Sequence, residues 1–177
     1  MTTTRLTFST NSVRNTTISN DSLGIRYDVH KESEGVEIHR WDASVRRNVR
    51  VGQFKLHAWS SDEMRIGGDT QWRAVKEWLY KPDDSKWWST ARHFVANNGV
   101  EYRWQEKGGR LVLFKVAKTN GTRTPLASFH RHHRKDNPSY LEVHDPTILG
   151  ALDSIIVSFL IMERRRRDNE AAAAAAA

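Results

Sequence analysis

Asp145–Arg167 reads DPTILGALDSIIVSFLIMERRRR, and this segment determines the architecture predicted for the whole chain. Asp145 followed by Pro146 is typical of a helix start, because aspartate caps free backbone N–H groups and proline suits the first turn. From Ile148 to Met162, apolar residues occupy nearly every side of the predicted helix. A helix that is apolar all round must be buried all round, either by lipid or by protein.

Length and charge favour burial by protein. The apolar run Ile148–Met162 spans about 22 Å at helical rise, which is short of the ~30 Å hydrocarbon core of a bilayer. Asp153 in mid-segment would also cost a few kcal/mol in lipid. Gly150, Ser154 and Ser158 form a narrow stripe of small residues, a pattern also found where membrane helices pair. We therefore expect a core helix over about 146–167 and no transmembrane segment.

The rest of the chain alternates apolar and polar residues with a period of two, which predicts half-buried strands. About a dozen strand candidates are separated by turn residues, as expected for a mainly β fold. The clearest are Arg5–Phe8, Gly24–Val29, Val36–Trp41, Val49–Trp59, Glu101–Gln105, Arg110–Phe114, Thr124–His132 and Tyr140–His144. The sequence thus predicts a closed antiparallel barrel of about twelve strands enclosing the C-terminal helix.

Two local patterns refine this prediction. Glu101–Gln105 and Arg110–Phe114 flank Gly108-Gly109, which predicts a hairpin whose glycines adopt positive φ. Thr70–Tyr80 has apolar residues at helical spacing, although a strand is equally allowed there. We expect one domain over 1–170, with the alanines 171–177 outside the fold.

Composition limits the classes of function. The chain has 177 residues and no cysteine, which excludes a disulfide framework, a thiolate zinc site and a cysteine nucleophile. The N-terminus lacks the apolar stretch of a secretory signal, so we expect an intracellular protein, cytoplasmic or membrane-peripheral. The net charge of +7 favours anionic partners, although a solvated basic surface gives the same excess.

Two basic clusters are the candidate anion-binding residues. The first is Arg131, His132, His133, Arg134 and Lys135, and the second is Arg164, Arg165, Arg166 and Arg167. Arginine forks suit phosphate or carboxylate. Cations also complement the dipole at a helix C-terminus, but four arginines exceed what capping needs.

A metal site and an enzymatic site are weaker interpretations. His130 and His132 share a face of a strand, but zinc would need a third ligand such as His144 or Asp145, and the neighbouring cations oppose it. We expect no metal and no cofactor. His39, His57 and His93 have carboxylates nearby in sequence, yet no nucleophile elbow, phosphate loop or dinucleotide fingerprint is present. We assign no catalytic residue.

The seven tryptophans are large packing residues or exposed binding residues. Trp41, Trp59 and Trp104 lie in predicted strands, and we expect them in the core. Trp87 and Trp88 are adjacent and would face opposite ways on a strand, so one of them is expected to be exposed. This pair is the candidate binding anchor.

An ordered set of segments resembles a family of small uncharacterised proteins of mushroom-forming fungi, a domain of unknown function. The segments are Asn15–Ile18, Gly24–Val29, Tyr102–Trp104, Ala127–Arg131 and Leu152–Phe159. That family in turn is similar to the tubby C-terminal-like superfamily, with the LURP-one-related proteins and phospholipid scramblases. The resemblance implies a twelve-stranded barrel threaded by a hydrophobic helix. It transfers no ligand site residue by residue, and fold does not imply function.

The leading hypothesis is a non-enzymatic module that binds anionic ligands, most plausibly phospholipid headgroups at a cytoplasmic membrane surface or another phosphorylated ligand. The alternative is a protein-interaction or structural barrel whose charges serve solubility. Nucleic-acid binding ranks below lipid because no nucleic-acid motif is present. An enzyme with a cleft lined by His57 or His93 is a further alternative.

Overall fold

The structure is a computed structural model that describes residues 3–57, 60–116, 124–132 and 136–176. Twelve antiparallel strands form one sheet, as the sequence predicts. The strands are β1 (Thr4–Phe8), β2 (Thr16–Asn20), β3 (Ile25–Glu32), β4 (Gly35–Asp42), β5 (Arg47–Lys55), β6 (Glu63–Ile66), β7 (Arg73–Ala74), β8 (Arg92–Val95), β9 (Glu101–Lys107), β10 (Arg110–Lys115), β11 (Ala127–His130) and β12 (Tyr140–Val143).

The helical segments are few. A 3-10 turn (Asp21–Leu23) follows β2, and the one-turn helix α1 (Val75–Trp78) follows β7. After β12, a 3-10 helix (Pro146–Ala151) leads into the long helix α2 (Leu152–Ala175). The Asp145 carboxylate accepts the Thr147 backbone N–H at 2.9 Å, which confirms the predicted cap. The alanines 171–175 continue α2, and their side chains are exposed.

The order of the strands in the sheet is β7-β6-β5-β4-β3-β2-β1-β12-β11-β10-β9-β8. The predicted closure into a barrel is wrong: in the described ranges, no ladder of hydrogen bonds joins the edge strands β7 and β8. The chain forms α1 directly after β7, and the Leu79 N–H bonds back to Val75. Tyr80 alone pairs with His93, through two backbone hydrogen bonds of 2.8 and 2.9 Å.

The sheet curls around α2, which forms the centre of the core. Residues 154–163 of this helix are all buried. Phe159 packs against Phe8 of β1, Trp104 of β9 and Phe129 of β11, so strands that are distant in sequence meet on one side chain. By length and composition Pro146–Ala175 could cross a membrane, but 72% of its most apolar window is buried within the fold. The prediction of a core helix is confirmed.

Asp153, Ser154 and Ser158, in the first turns of α2, each meet a partner from a strand or from a connection between strands. Asp153 accepts a hydrogen bond from Tyr27 at 2.6 Å and lies 3.1 Å from the Arg40 guanidinium. The stripe of small residues faces a different part of the fold from Asp153. Ser154 accepts the Asn97 N–H at 3.0 Å, and Ser158 accepts the Trp104 indole N–H at 2.8 Å. The stripe therefore packs against β9 and the β8–β9 connection.

Candidate functional site

Alternation of strand direction brings six connections to one end of the fold. The connections that follow β1, β3, β5, β7, β9 and β11 lie there, because neighbouring strands are antiparallel throughout. Helix α2 starts after β12 at the opposite end and therefore finishes among these six connections. We call this the basic end, defined by Arg131, Arg164–Arg167 and the loops that they contact.

Arginines near the end of α2 hold these loops in place. Arg165 donates to the Asp62 carboxylate at 2.6 Å, which ties the β5–β6 loop to the helix. Arg166 donates to the Gly109 carbonyl at 3.1 Å in the β9–β10 hairpin, and Arg167 donates to the Asn11 carbonyl in the β1–β2 loop. These contacts join residues that are 57 to 156 positions apart in sequence.

The buried carboxylate of Glu163 is paired with two arginines of the run 164–167. This carboxylate is fully buried, and it accepts hydrogen bonds from Arg166 at 2.9 Å and from Arg167 at 2.8 Å. A buried charge is strongly destabilising unless it is paired and hydrogen-bonded. Arg166 and Arg167 therefore stabilise the buried Glu163 carboxylate, in addition to any role in binding a ligand.

One residue of the first predicted basic cluster, Arg131, meets the second cluster at Glu170. Arg131 donates to one carboxylate oxygen at 2.7 Å, and Arg166 lies 3.2 Å from the other. The hydrogen bond from Arg131 holds the pKa of Glu170 below its usual range. His132 lies beside Arg131, with its ring nitrogen 3.1 Å from the Pro138 carbonyl. The predicted residues His133, Arg134 and Lys135 lie outside the described residues.

The remaining two arginines of the run are also paired. Arg164 donates to Asp168 at 2.9 Å, and Arg165 is held by Asp62. Each member of Arg164–Arg167 thus has a carboxylate partner. Because a guanidinium carries five N–H donors, these pairs leave donors that point elsewhere.

A groove of about 520 Å³ opens at the basic end beside α2. We call it the tryptophan groove. Its lining includes both predicted anchors, two of the predicted arginines, one further arginine and an apolar side chain of α2: Trp87, Trp88, Arg92, Met162, Arg165 and Arg166. The fold therefore places the tryptophan pair and the arginine run, which are about 75 residues apart in sequence, in one site.

Both tryptophans are exposed, whereas the sequence predicted this of one. Trp87 is 85% exposed and Trp88 is 61% exposed. Their rings pack edge to face with centroids 5.5 Å apart, and the Lys86 ammonium lies 5.2 Å from the centre of the Trp88 ring. Lys81 donates to the Trp87 carbonyl at 2.8 Å. Large exposed apolar side chains gathered beside cations mark a surface suited to a partner.

Arg92 is the residue of this site that sequence reasoning missed. Its guanidinium donates to the carbonyls of Ala91 at 2.8 Å and Ser89 at 3.4 Å, and it pairs with no carboxylate in the described part of the chain. Burial, and then repulsion from Arg165, holds the pKa of Arg92 below its usual value. A single arginine in a short strand carries no sequence signal that would distinguish it.

The core prediction is confirmed for Trp104, which is completely buried, and wrong for Trp41, which is 41% exposed. Trp41 is three positions from Ile38, so it points to the other face of β4 from the buried Val36 and Ile38. Trp59 lies outside the described residues.

The histidines considered for catalysis are engaged in the sheet. His93 lies 3.0 Å from Glu101, and Tyr80 donates to the same carboxylate at 2.5 Å. This arrangement could orient a general base, but it also joins the segment after α1 to β8 and β9. His57 lies 3.5 Å from Glu63, and His39 lies 3.6 Å from Glu37.

The histidines considered as metal ligands have partners of their own. His130 lies 3.0 Å from Glu142 and stacks on the Tyr140 ring at 4.6 Å, while His144 lies 3.0 Å from the Ser128 hydroxyl. Asp145 caps the helix start. Across the residues that the structure covers, no group of three or more His, Cys, Asp or Glu side chains is placed to hold a metal ion.

Comparison with known sequences identifies the family of this chain. Searches of the curated proteins and of the solved structures gave no match. The sequence model of one family, described as "Family of unknown function (DUF6593)", matches residues 11–168. This range contains the strands β2 to β12 and most of α2. The chain therefore belongs to the DUF6593 family of unknown function.

Proposed function

We propose that the protein is a non-enzymatic module that binds anionic phospholipid headgroups at a cytoplasmic membrane surface through its basic end. One observation carries the proposal: two exposed tryptophans share a groove with Arg92, Arg165 and Arg166. Tryptophan favours the interface between lipid headgroups and acyl chains, because its ring is apolar and its N–H is polar. Cations beside it would meet the headgroup phosphates.

The local charge supports binding to an acidic surface. Lys81, Lys86 and Arg92 surround the tryptophan pair, and none of them pairs with a carboxylate among the residues described here. Each basic residue close to an anionic membrane contributes about 1 kcal/mol. The arginines 164–167 contribute less, because Asp62, Glu163, Asp168 and Glu170 lie beside them.

The architecture supports the proposal in a second way. Helix α2 fills the core, and its last turns fix the surrounding loops, so the basic end is presented on a rigid base rather than on a free tail. Kinship with the tubby C-terminal-like superfamily is part of the same proposal, since a twelve-stranded sheet curled around a helix agrees with it. Membrane association would place the protein at the cytoplasmic face.

Co-sedimentation with vesicles tests the proposal. The protein is expected to sediment with vesicles of phosphatidylcholine and phosphatidylserine, to do so less at high salt, and to remain in solution with phosphatidylcholine alone. Equal sedimentation with both vesicle types, or with neither, would overturn it. A competition with mixed-sequence RNA, added at the same total charge as the acidic lipid, extends the test. Release of the protein from the vesicles by the RNA would favour nucleic acid as the ligand and would also count against the proposal.

A matched pair of variants locates the contact. Trp87→Ala together with Trp88→Ala is expected to weaken vesicle binding about tenfold, because two apolar side chains no longer enter the interface. Trp41→Ala removes a partly exposed tryptophan at the opposite end and is expected to leave binding unchanged. Equal effects of the two changes would place the membrane contact elsewhere on the molecule.

A further inference from the structure

We infer that the tryptophan groove binds one molecule of a single-chain anionic lipid, with its acid group on Arg92 and its acyl chain against the apolar side of the groove. The inference rests on the proposed function and specifies the ligand class of the same site. It concerns a ligand seated in the fold, whereas membrane association concerns the outer surface of the basic end.

Arg92 supplies the site for the acid group. Its guanidinium is half-buried, and within the described ranges its only hydrogen-bond acceptors are the two backbone carbonyls of Ser89 and Ala91. A buried cation without a counter-charge is unfavourable, and Arg165 beside it adds repulsion. A carboxylate or phosphate at this position would offset both effects and could accept two parallel N–H groups from the arginine fork.

One side of the groove is apolar and suits an acyl chain. Leu111 of β10 and Met162 of α2 form its inner wall, and Trp87 and Trp88 line its rim. Methionine adapts its shape to flexible apolar ligands. An inorganic anion would bind Arg92 and leave this wall in contact with water. An acyl chain would cover the wall and the inner faces of the tryptophans.

The dimensions of the groove suit one chain. About 520 Å³ falls within the ~300–1,000 Å³ typical of sites for small molecules. Glu106 and Glu170 also line the groove, and they would repel an acid group placed away from Arg92. Charge therefore orients the ligand: its head lies at Arg92, and its chain runs between the tryptophans and Met162.

Calorimetric titration with monomeric ligands tests the inference. The probes are oleate and 1-oleoyl lysophosphatidic acid, each below its micelle concentration, with oleyl alcohol and inorganic phosphate as references. Binding of either acidic lipid, with at least about tenfold weaker binding of both references, is the expected result. Oleate alone would identify a fatty acid, and lysophosphatidic acid alone would identify a lysophospholipid. Equal binding of oleyl alcohol, or of inorganic phosphate, would overturn the inference.

Three variants locate the ligand. Arg92→Gln is expected to weaken binding of the acidic lipid about tenfold or more, and Arg92→Lys less. Asn169→Trp places a large ring on an exposed position of the groove lining and is expected to block binding while leaving the fold intact. Arg47→Gln, an exposed arginine at the opposite end, is the charge-matched control. Full binding by both Arg92→Gln and Asn169→Trp would contradict the assignment.

The two proposals fail separately. If the wild-type protein sediments with acidic vesicles but binds neither oleate nor lysophosphatidic acid, the groove inference is wrong and the surface proposal stands. If it binds the monomeric lipid but not the vesicles, the surface proposal is wrong. Arg92→Gln is expected to weaken vesicle binding only about fivefold, the effect of one cation near the membrane, whereas binding of the monomeric acidic lipid should fall about tenfold or more.

Discussion

Arg131 donates a hydrogen bond to Glu170 at 2.7 Å, and this contact joins the β11–β12 loop to the end of α2. The two residues are 39 positions apart in sequence. Through Glu170, which also lies beside Arg166, Arg131 of the first basic cluster comes close to the arginines of the second. Glu170 at the same time reduces the positive charge of that surface, so it opposes the binding of an acidic ligand.

The change Glu170→Gln tests this opposition. It removes one negative charge and is expected to strengthen binding to acidic vesicles about fivefold, in line with about 1 kcal/mol for each unit of charge near the membrane. The free energy of unfolding should fall by about 1 kcal/mol or less, because exposed ion pairs stabilise little. Vesicle co-sedimentation at fixed salt measures the first effect.

Asp21→Asn is the control for that experiment. Asp21 is exposed at the opposite end of the fold, so the same change in net charge lies far from the proposed contact. Its effect on vesicle binding should be much smaller. If both changes strengthen binding equally, net charge governs the interaction and the basic end has no special part in it.

Ser158 and Trp104 form a buried hydrogen bond whose loss is expected to be costly. Ser158→Ala leaves the Trp104 indole N–H without its acceptor, and should lower the free energy of unfolding by about 1–3 kcal/mol. Chemical denaturation measures the loss. The double change with Trp104→Phe should cost less than the sum of the two single changes, because the donor and acceptor are then both absent. Strict additivity would show that the bond contributes nothing.

Gly52 of β5 lies against Val157 of α2. A Cβ atom at this position would lie 2.6 Å from Cγ2 of Val157, so Gly52→Ala should destabilise the protein by about 1–3 kcal/mol. Val157→Ala in the same chain should recover part of that loss. Gly68→Ala serves as the control, because a Cβ there meets no atom within 4 Å. A stable Gly52→Ala protein would mean that the helix does not lie against β5.

Alkaline pH should destabilise the fold through Tyr27. Burial, and then the neighbouring Asp153, raise the pKa of Tyr27 far above its usual value of about 10, and the hydrogen bond to Glu101 raises the pKa of Tyr80 to about 12. Because both pKa values are higher in the folded state, the stabilisation is complete below about pH 10 and is lost as the pH rises further. Denaturation at pH 8 and pH 11 should show a smaller loss in Tyr27→Phe than in the wild type. An equal loss in both proteins would show that Tyr27 does not cause the alkaline destabilisation.

The helix and the hairpin could be predicted because their signals are local. Asp145-Pro146 marks the start of the helix, an apolar run marks its burial, and the glycines at 108 and 109 adopt φ of 58° and 72°. The strands β2, β6, β7 and β8 were not among the clearest candidates, because their short sequences show little alternation of apolar and polar residues. Closure was wrong because Thr70–Tyr80 allowed either a helix or a strand, and its helical spacing alone could not show that a single helical turn replaces strand pairing there.

The site could be predicted only in part. Exposed tryptophans and runs of arginine are visible in the sequence, but their shared groove depends on which strand connections lie at the same end of the sheet. Glu163, Asp168 and Glu170 lie three or four positions from the arginines that they pair with, at a spacing that the sequence shows, but the partner of Arg165 is the distant Asp62, which it could not show. Arg92 matters through its half-burial beside Leu111 and Met162, which is a property of the fold alone.

Quenching of tryptophan fluorescence by vesicles with brominated acyl chains tests the membrane contact most directly, because quenching requires the ring to enter the lipid. With acidic brominated vesicles, the wild-type protein is predicted to lose fluorescence. The variant carrying Trp87→Phe and Trp88→Phe should bind the vesicles yet show little quenching, since Trp78 and Trp104 are buried and Trp41 lies at the opposite end of the fold. Equal quenching in both proteins, or none in the wild type when it is bound, would contradict the proposal that this tryptophan pair meets the membrane.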